Sequence, residues 1–171
     1  MYNEMDDAKK SRISDRDYNS IVILQMTDII SENSEDLKAY VMRGNHYLDS
    51  GKLIEAISDL TKAIQLDPSD PMVFNNRGVA YRRSVDKDKA LEDFDQAITI
   101  KPDYREAYNN RGMVLADNYE YEAAIVQFTK AIEIDPNYWY AYNNRAMSRW
   151  ALGDRKGAES DYKVVSSYMS G

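Results

Sequence analysis

Tyr108-Asn109-Asn110-Arg111-Gly112 decides the architecture. The motif recurs 34 residues earlier as Phe74-Asn75-Asn76-Arg77-Gly78 and 34 residues later as Tyr142-Asn143-Asn144-Arg145-Ala146. A fainter copy, Tyr40-Val41-Met42-Arg43-Gly44, lies one further period upstream. Self-similarity at a fixed spacing means that one supersecondary unit is copied and stacked.

Working outward, each period reads as a helix, a tight turn and a second helix. First helices are expected over 37–49, 71–83, 105–117 and 139–151, and second helices over 53–66, 87–100, 121–134 and 155–168. Pro68, Pro102 and Pro136 break the chain between periods, because proline lacks the N–H that a helical ladder needs. Ser69, Asp103 and Asn137 follow and are expected to cap the next helix, with Asp103 and Glu106 at capping-box spacing. Gly51 and Gly153 suit a left-handed turn inside two of the units. At the matching place stand Val85 and Tyr119, so either they pay a conformational cost or the turn differs there.

Small residues recur in columns: Gly44, Gly78, Gly112, Ala146; Ala56, Ala90, Ala124, Ala158; and Ala63, Ala97, Ala131. Large ones face them: Tyr40, Phe74, Tyr108, Tyr142 and Leu60, Phe94, Phe128, Tyr162. One unit cannot bury its own apolar face, so the stack is what folds. Upstream, Ile21, Val22, Leu24, Met26, Ile29 and Ile30 have helical spacing. Residues 17–34 therefore read as the helix of a degenerate leading repeat or as an N-terminal cap. Residues 1–16 read as a flexible or weakly helical start.

These columns resemble the tetratricopeptide repeat (TPR) family across residues 37–171, divided as 37–70, 71–104, 105–138 and 139–171. The resemblance implies an all-α, right-handed superhelical solenoid of antiparallel helix pairs, its first helices lining a concave groove. The fourth unit departs from the family pattern: Ala146 replaces glycine, Arg149 stands where Tyr47 and Tyr81 do, and no proline follows. Val164, Val165 and Tyr168 are accordingly expected as an exposed end open to homo-oligomerisation.

Composition narrows the function. The chain has 171 residues, 43% hydrophobic, with a net charge of −7 and a pI near 4.8. It carries no dense basic stripe, which argues against nucleic acid and anionic membrane surfaces. It has no cysteine, so neither disulfides nor thiolate metal sites arise. Ile21-Val22-Ile23-Leu24 is too short to span a bilayer, and no secretory signal is visible, so a cytoplasmic protein is expected. There is no phosphate loop, no metal-ligand spacing and no nucleophile–base motif beside His46, so no enzyme, cofactor or metal is expected.

Helical spacing puts a set of side chains on the groove face. They are Asn45 in the first unit; Asn75, Asn76, Val79 and Arg83 in the second; Asn109, Asn110 and Met113 in the third; and Tyr140, Asn143, Asn144, Met147 and Trp150 in the fourth. Lys38, Val41, Met42, Asp49, Glu106 and Asp117 share that face. An asparagine offers a donor and an acceptor, which suits an extended peptide backbone. First helices spaced about 10 Å apart would meet a chain advancing about 3.3 Å per residue once every three residues. The resemblance also includes a carboxylate clamp built from two Lys, two Asn and one Arg. Asn45 and Asn76 match its asparagines, but Val41, Glu106 and Asn110 stand in place of its cations, and the clamp is rejected. The register one unit on, through Asn75, Val79, Asn110, Tyr140 and Asn144, fails too.

The expected function is a non-enzymatic adaptor or scaffold module that binds an extended or helical peptide segment of a protein partner. The alternative is a structural protein that oligomerises through its repeat ends. Arg43, Arg77 and Arg145 are expected to pair with Asp59, Asp93 and Asp161 between the helices of a unit, a pattern broken for Arg111 at Gln127.

Overall fold

The computed structural model describes residues 14–169; the expectation of a flexible or weakly helical start over 1–16 lies outside these up to residue 13, and Asp15 and Arg16 already open the first helix. Two compact units part between Pro68 and Ser69. The first holds α1 (Asp15–Glu32), α2 (Leu37–Asp49) and α3 (Leu53–Leu66). The second holds α4 (Pro71–Arg83), α5 (Lys87–Ile100), α6 (Arg105–Asp117), α7 (Tyr121–Ile134), α8 (Trp139–Ala151) and α9 (Arg155–Met169). Among the described residues every element is helical.

In the first unit α1 packs on α2 and α2 on α3. Val22 and Met26 of α1 close over Ala39. In the second unit α4–α5, α6–α7 and α8–α9 form hairpins, and the first helices α4, α6 and α8 also touch in sequence. The fit inside each hairpin is a bare backbone against a bulky side chain. A Cβ added to Gly44 would lie 2.9 Å from Leu60, one on Gly78 2.8 Å from Phe94, and one on Gly112 2.6 Å from Phe128. Leu60 and Phe94 are fully buried and Phe128 nearly so.

The turns inside the hairpins are the same turn, whatever residue occupies them. Gly51 has φ 74°, Val85 67°, Tyr119 63° and Gly153 82°. Each is followed by an N–H that reaches back to the helix, as Asp86 N does to Tyr81 O (2.9 Å) and Glu120 N to Leu115 O (2.9 Å). This is the glycine-type helix stop, held in two hairpins by side chains that dislike it. The capping expectation is corrected. The residue that caps α4 is Asp70, accepting from Met72 N, and α6 and α8 start at Tyr104 and Tyr138 without a side-chain cap. Tyr104 and Tyr138 sit one place after Asp103 and Asn137 because the proline turn runs one residue longer.

The arginine column is tied down by carboxylates. Arg43 grips Asp59 with two bonds (2.7 and 2.8 Å), Arg77 grips Asp93 (2.8 and 2.7 Å) and Arg145 grips Asp161 (2.9 and 2.7 Å). All three aspartates are buried. Arg43 and Arg145 each add a bond to a threonine of the preceding helix pair, Thr27 and Thr129. Arg111 does something else. The residue at its own acid position is Gln127, and the threonine position ahead of it is Asp95. Arg111 turns to Asp95, at 2.7 Å. The within-hairpin pattern is broken at Gln127 as expected, and the pair is displaced to between hairpins.

Two expected outcomes follow from this geometry. Val85→Gly and Tyr119→Gly should each raise stability by about 1 kcal/mol in chemical denaturation, by relieving left-handed strain. Asp95→Thr should cost only about 0.2–1 kcal/mol, the worth of an ion pair whose carboxylate is exposed, and adding Gln127→Asp should recover it. Additive effects in that double-mutant cycle would refute the displaced pair.

Candidate functional site

The candidate site is built on α4, α6 and α8 of the second unit. Its asparagines interlock rather than standing free in a row. Asn110 Nδ2 donates to Asn75 Oδ1 (2.9 Å), and Asn144 Nδ2 donates to Asn109 Oδ1 (2.9 Å). Asn75 passes a further bond to Asn76 Oδ1 (3.2 Å). Asn109 Nδ2 reaches the Met113 sulfur (3.6 Å), and Asn143 Nδ2 the Met147 sulfur (3.8 Å). Asn75 and Asn109 are buried, at 6% and 4% exposure. Their placement on the groove face is corrected: they point between neighbouring first helices, where each amide takes up its neighbour's. Asn110 and Asn144 are half-buried, and each spends one N–H on this contact while an amide has two N–H groups and a carbonyl.

Val79 is half-buried. Part of its side chain packs against the Ala90–Phe94–Val114 cluster. Arg83 is exposed on the last turn of α4. Asn45 is half-buried on α2, in the first unit. The expected self-associating end is corrected at Val165, which is buried at 6% because it faces the hairpin interior. Tyr168 is tied by its hydroxyl, which donates to Asn137 Oδ1 (2.8 Å).

Met113, Asn144 and Met147 meet around a cavity of about 310 Å³. Phe128, Ala116, Ala151, Tyr121 and Ser148 supply the remaining wall, and Arg82 and Asp117 stand at it too. Arg82 Nε bonds Asp117 Oδ2 (2.7 Å), which joins α4 to α6. Lys87 steadies the same corner, donating to Asp117 O (2.6 Å) and Asn118 Oδ1 (2.8 Å). Ser148 Oγ donates to Asn144 O (3.1 Å). Beside the cavity, α8 exposes Tyr140, Met147 and Trp150 at 53%, 58% and 55%. Positions 140, 143, 147 and 150 form one helical stripe. Sequence reasoning missed Arg82, Lys87, Ser148 and Tyr121; no column repeats them, and only the 35-residue offset of Arg82 and Asp117 carried a trace.

The tyrosines that precede α6 and α8 have raised pKa values. Burial pushes Tyr104 up to about 12, with the charges of Glu106 and Asp70 adding to it. Burial likewise pushes Tyr138 up to about 12, Glu106 adding and Arg105 opposing. Among the described residues, no group of three or more His, Cys, Asp or Glu could hold a metal ion. No helix among them is long and apolar enough to cross a membrane.

A family model described as "TPR repeat" matches residues 44–84, and one described as "Tetratricopeptide repeat" matches 71–104 and 106–138. The first TPR of Spaghetti (RPAP3), solved bound to the HSP90 peptide SRMEEVD, is 30% identical, with a TM-score of 0.66, over 71% of this chain and 96% of that one. The chain belongs to the tetratricopeptide repeat family. Its TPR fold is shared with a crystal structure of MamA at 22% identity and a TM-score of 0.81, over 99% of this chain and 97% of that one. It is also shared with YrrB, described as a TPR protein with an unusual peptide-binding site, at 21% identity and a TM-score of 0.69, over 86% and 76%. No curated protein matches the chain. The all-α TPR solenoid class is thereby established.

A raised tyrosine pKa has a defined sign. The unfolded tyrosine ionises near pH 10, and Tyr104 and Tyr138 resist ionisation in the folded chain until about 12. Their contribution is whole below pH 10 and is lost as pH rises towards 12. Urea denaturation across that window should show falling stability, and Tyr104→Phe with Tyr138→Phe should flatten the fall.

Proposed function

We propose that this chain is a non-enzymatic protein-interaction module that holds a peptide segment of a partner along α4, α6 and α8. One observation carries the reading: the cavity walled by Met113, Asn144 and Met147, flanked by exposed Tyr140 and Trp150. A cavity of about 310 Å³ suits one large apolar side chain, and burying such a side chain is worth about 1.5–3 kcal/mol. Thioethers adapt to varied partners. Asn110 and Asn144 supply the remaining amide hydrogen-bonding capacity to a ligand backbone.

The RPAP3 domain, 30% identical, binds an HSP90 peptide, which supports a peptide ligand in this family. The acidic peptide of that complex is a poor guide to this ligand. Glu106 and Asn110 stand where the family's carboxylate clamp has cations, so an acidic C-terminus would gain nothing from them.

The test is selection of short random peptides on the full chain, followed by amide-shift mapping of the bound site. Met147→Asp should weaken the selected peptides about tenfold or more, as expected for a central contact. Val126→Asp, on the exposed outer side of α7, should leave them unchanged. Equal binding to wild type and Met147→Asp would remove the cavity from the function. Asn144→Ala is the weaker probe, since it also strips Asn109 of its partner.

A further inference from the structure

This inference rests on the groove reading and adds the chemistry of the partner. In the second unit several rings carry a guanidinium. Arg77 covers Phe74 and Tyr81 at 5.8 Å, Arg145 covers Tyr142 at 5.4 Å, Arg105 covers Tyr138 at 4.8 Å and Arg155 covers Trp150 at 5.6 Å. Tyr140 has no such cover among the described residues. One face of its ring stacks on Trp139, with centroids 3.7 Å apart and planes at 25°. The residue is 53% exposed, and among the described residues no Lys or Arg covers it.

The charged groups next along from Tyr140 sum to a negative value. Its ring lies 5.7 Å from Tyr138, whose own cation is Arg105. Arg105 is shared by two carboxylates, bonding Glu106 Oε1 (2.9 Å) and Asp135. One guanidinium between two carboxylates leaves one negative charge at this corner. The whole chain is at −7, which favours a basic partner in diffusional encounter. A π face that is open, stacked from behind and set beside net negative charge is a receptor for a cation.

We propose that the outer face of Tyr140 receives an arginine or lysine side chain of the peptide whose apolar residue fills the cavity. Tyr140 and Met147 lie seven positions apart on α8, about 10 Å along the helix. An extended ligand covers that span in about three residues. The ligand signature is therefore a basic residue about three positions from a large apolar one.

The experiment uses the peptides selected on the full chain, with each basic residue then replaced by citrulline, which keeps arginine's shape and loses its charge. Citrulline should weaken binding to wild type by about two- to fivefold. Tyr140→Leu, which keeps apolar area and removes the ring, should bind the arginine and citrulline peptides equally. Peptides that map to the cavity but tolerate citrulline, or that lose the same factor in Tyr140→Leu with either residue, would overturn the cation site and leave the groove reading standing. Selected peptides that perturb neither Met113 nor Met147 would overturn both.

Discussion

The fold depends on a backbone pressed against a ring. At Gly78 and Gly112 even one added carbon would collide with the buried side chain opposite. That closeness brings the two helices of a hairpin near enough for the arginine one position before each glycine to reach across. In two of the three hairpins of the second unit it meets a buried aspartate; in the middle one it meets the acid of the hairpin before it. Removing one partner of a buried pair typically costs about 3–5 kcal/mol, because the other charge is left stranded. The aromatic residues that flank the arginines serve a second purpose, covering the guanidinium planes. Packing, charge and aromatic contact are thus set by one spacing. The last hairpin tolerates Ala146 because its opposing residue, Tyr162, lies partly outside, at 37% exposure.

Much of this was legible in the residues. The prolines and small-residue columns located the helices because they act through the backbone, which any chain obeys locally. The Arg–Asp pairs were legible because both partners recur in step. Val85 and Tyr119 show where columns mislead: a turn imposed by packing on both sides persists without its glycine, and no local preference announces that. The caps were misplaced by one residue because a polar residue after proline is a cap candidate only if the helix begins at once.

The site was less legible than the fold. Helical spacing identifies which side of a helix a residue occupies, yet it does not say how far a neighbouring helix leans over it. Asn75 and Asn76 differ by one position and 100° of rotation, enough to bury the first and leave the second half-open. Val79 is half-buried for the same reason. Tyr140, Met147 and Trp150 are exposed because α8 has no further first helix after it within the described residues, whereas Met113 packs partly against the Leu115–Phe128 cluster. The cavity wall needed tertiary contact to find, because Arg82, Tyr121 and Ser148 come from three helices with no shared sequence rhythm.

The acid that moved from position 127 to position 95 has a consequence for how such a chain can change its length. Units that carry the same internal clasp are interchangeable: one can be duplicated or deleted and its neighbours still close. The middle hairpin of the second unit is not, because its arginine borrows its counter-ion from the hairpin before it. Excising that preceding hairpin would strand a cation, and inserting a standard copy between the two would do the same. This junction favours the order of its two members by the modest worth of an exposed ion pair.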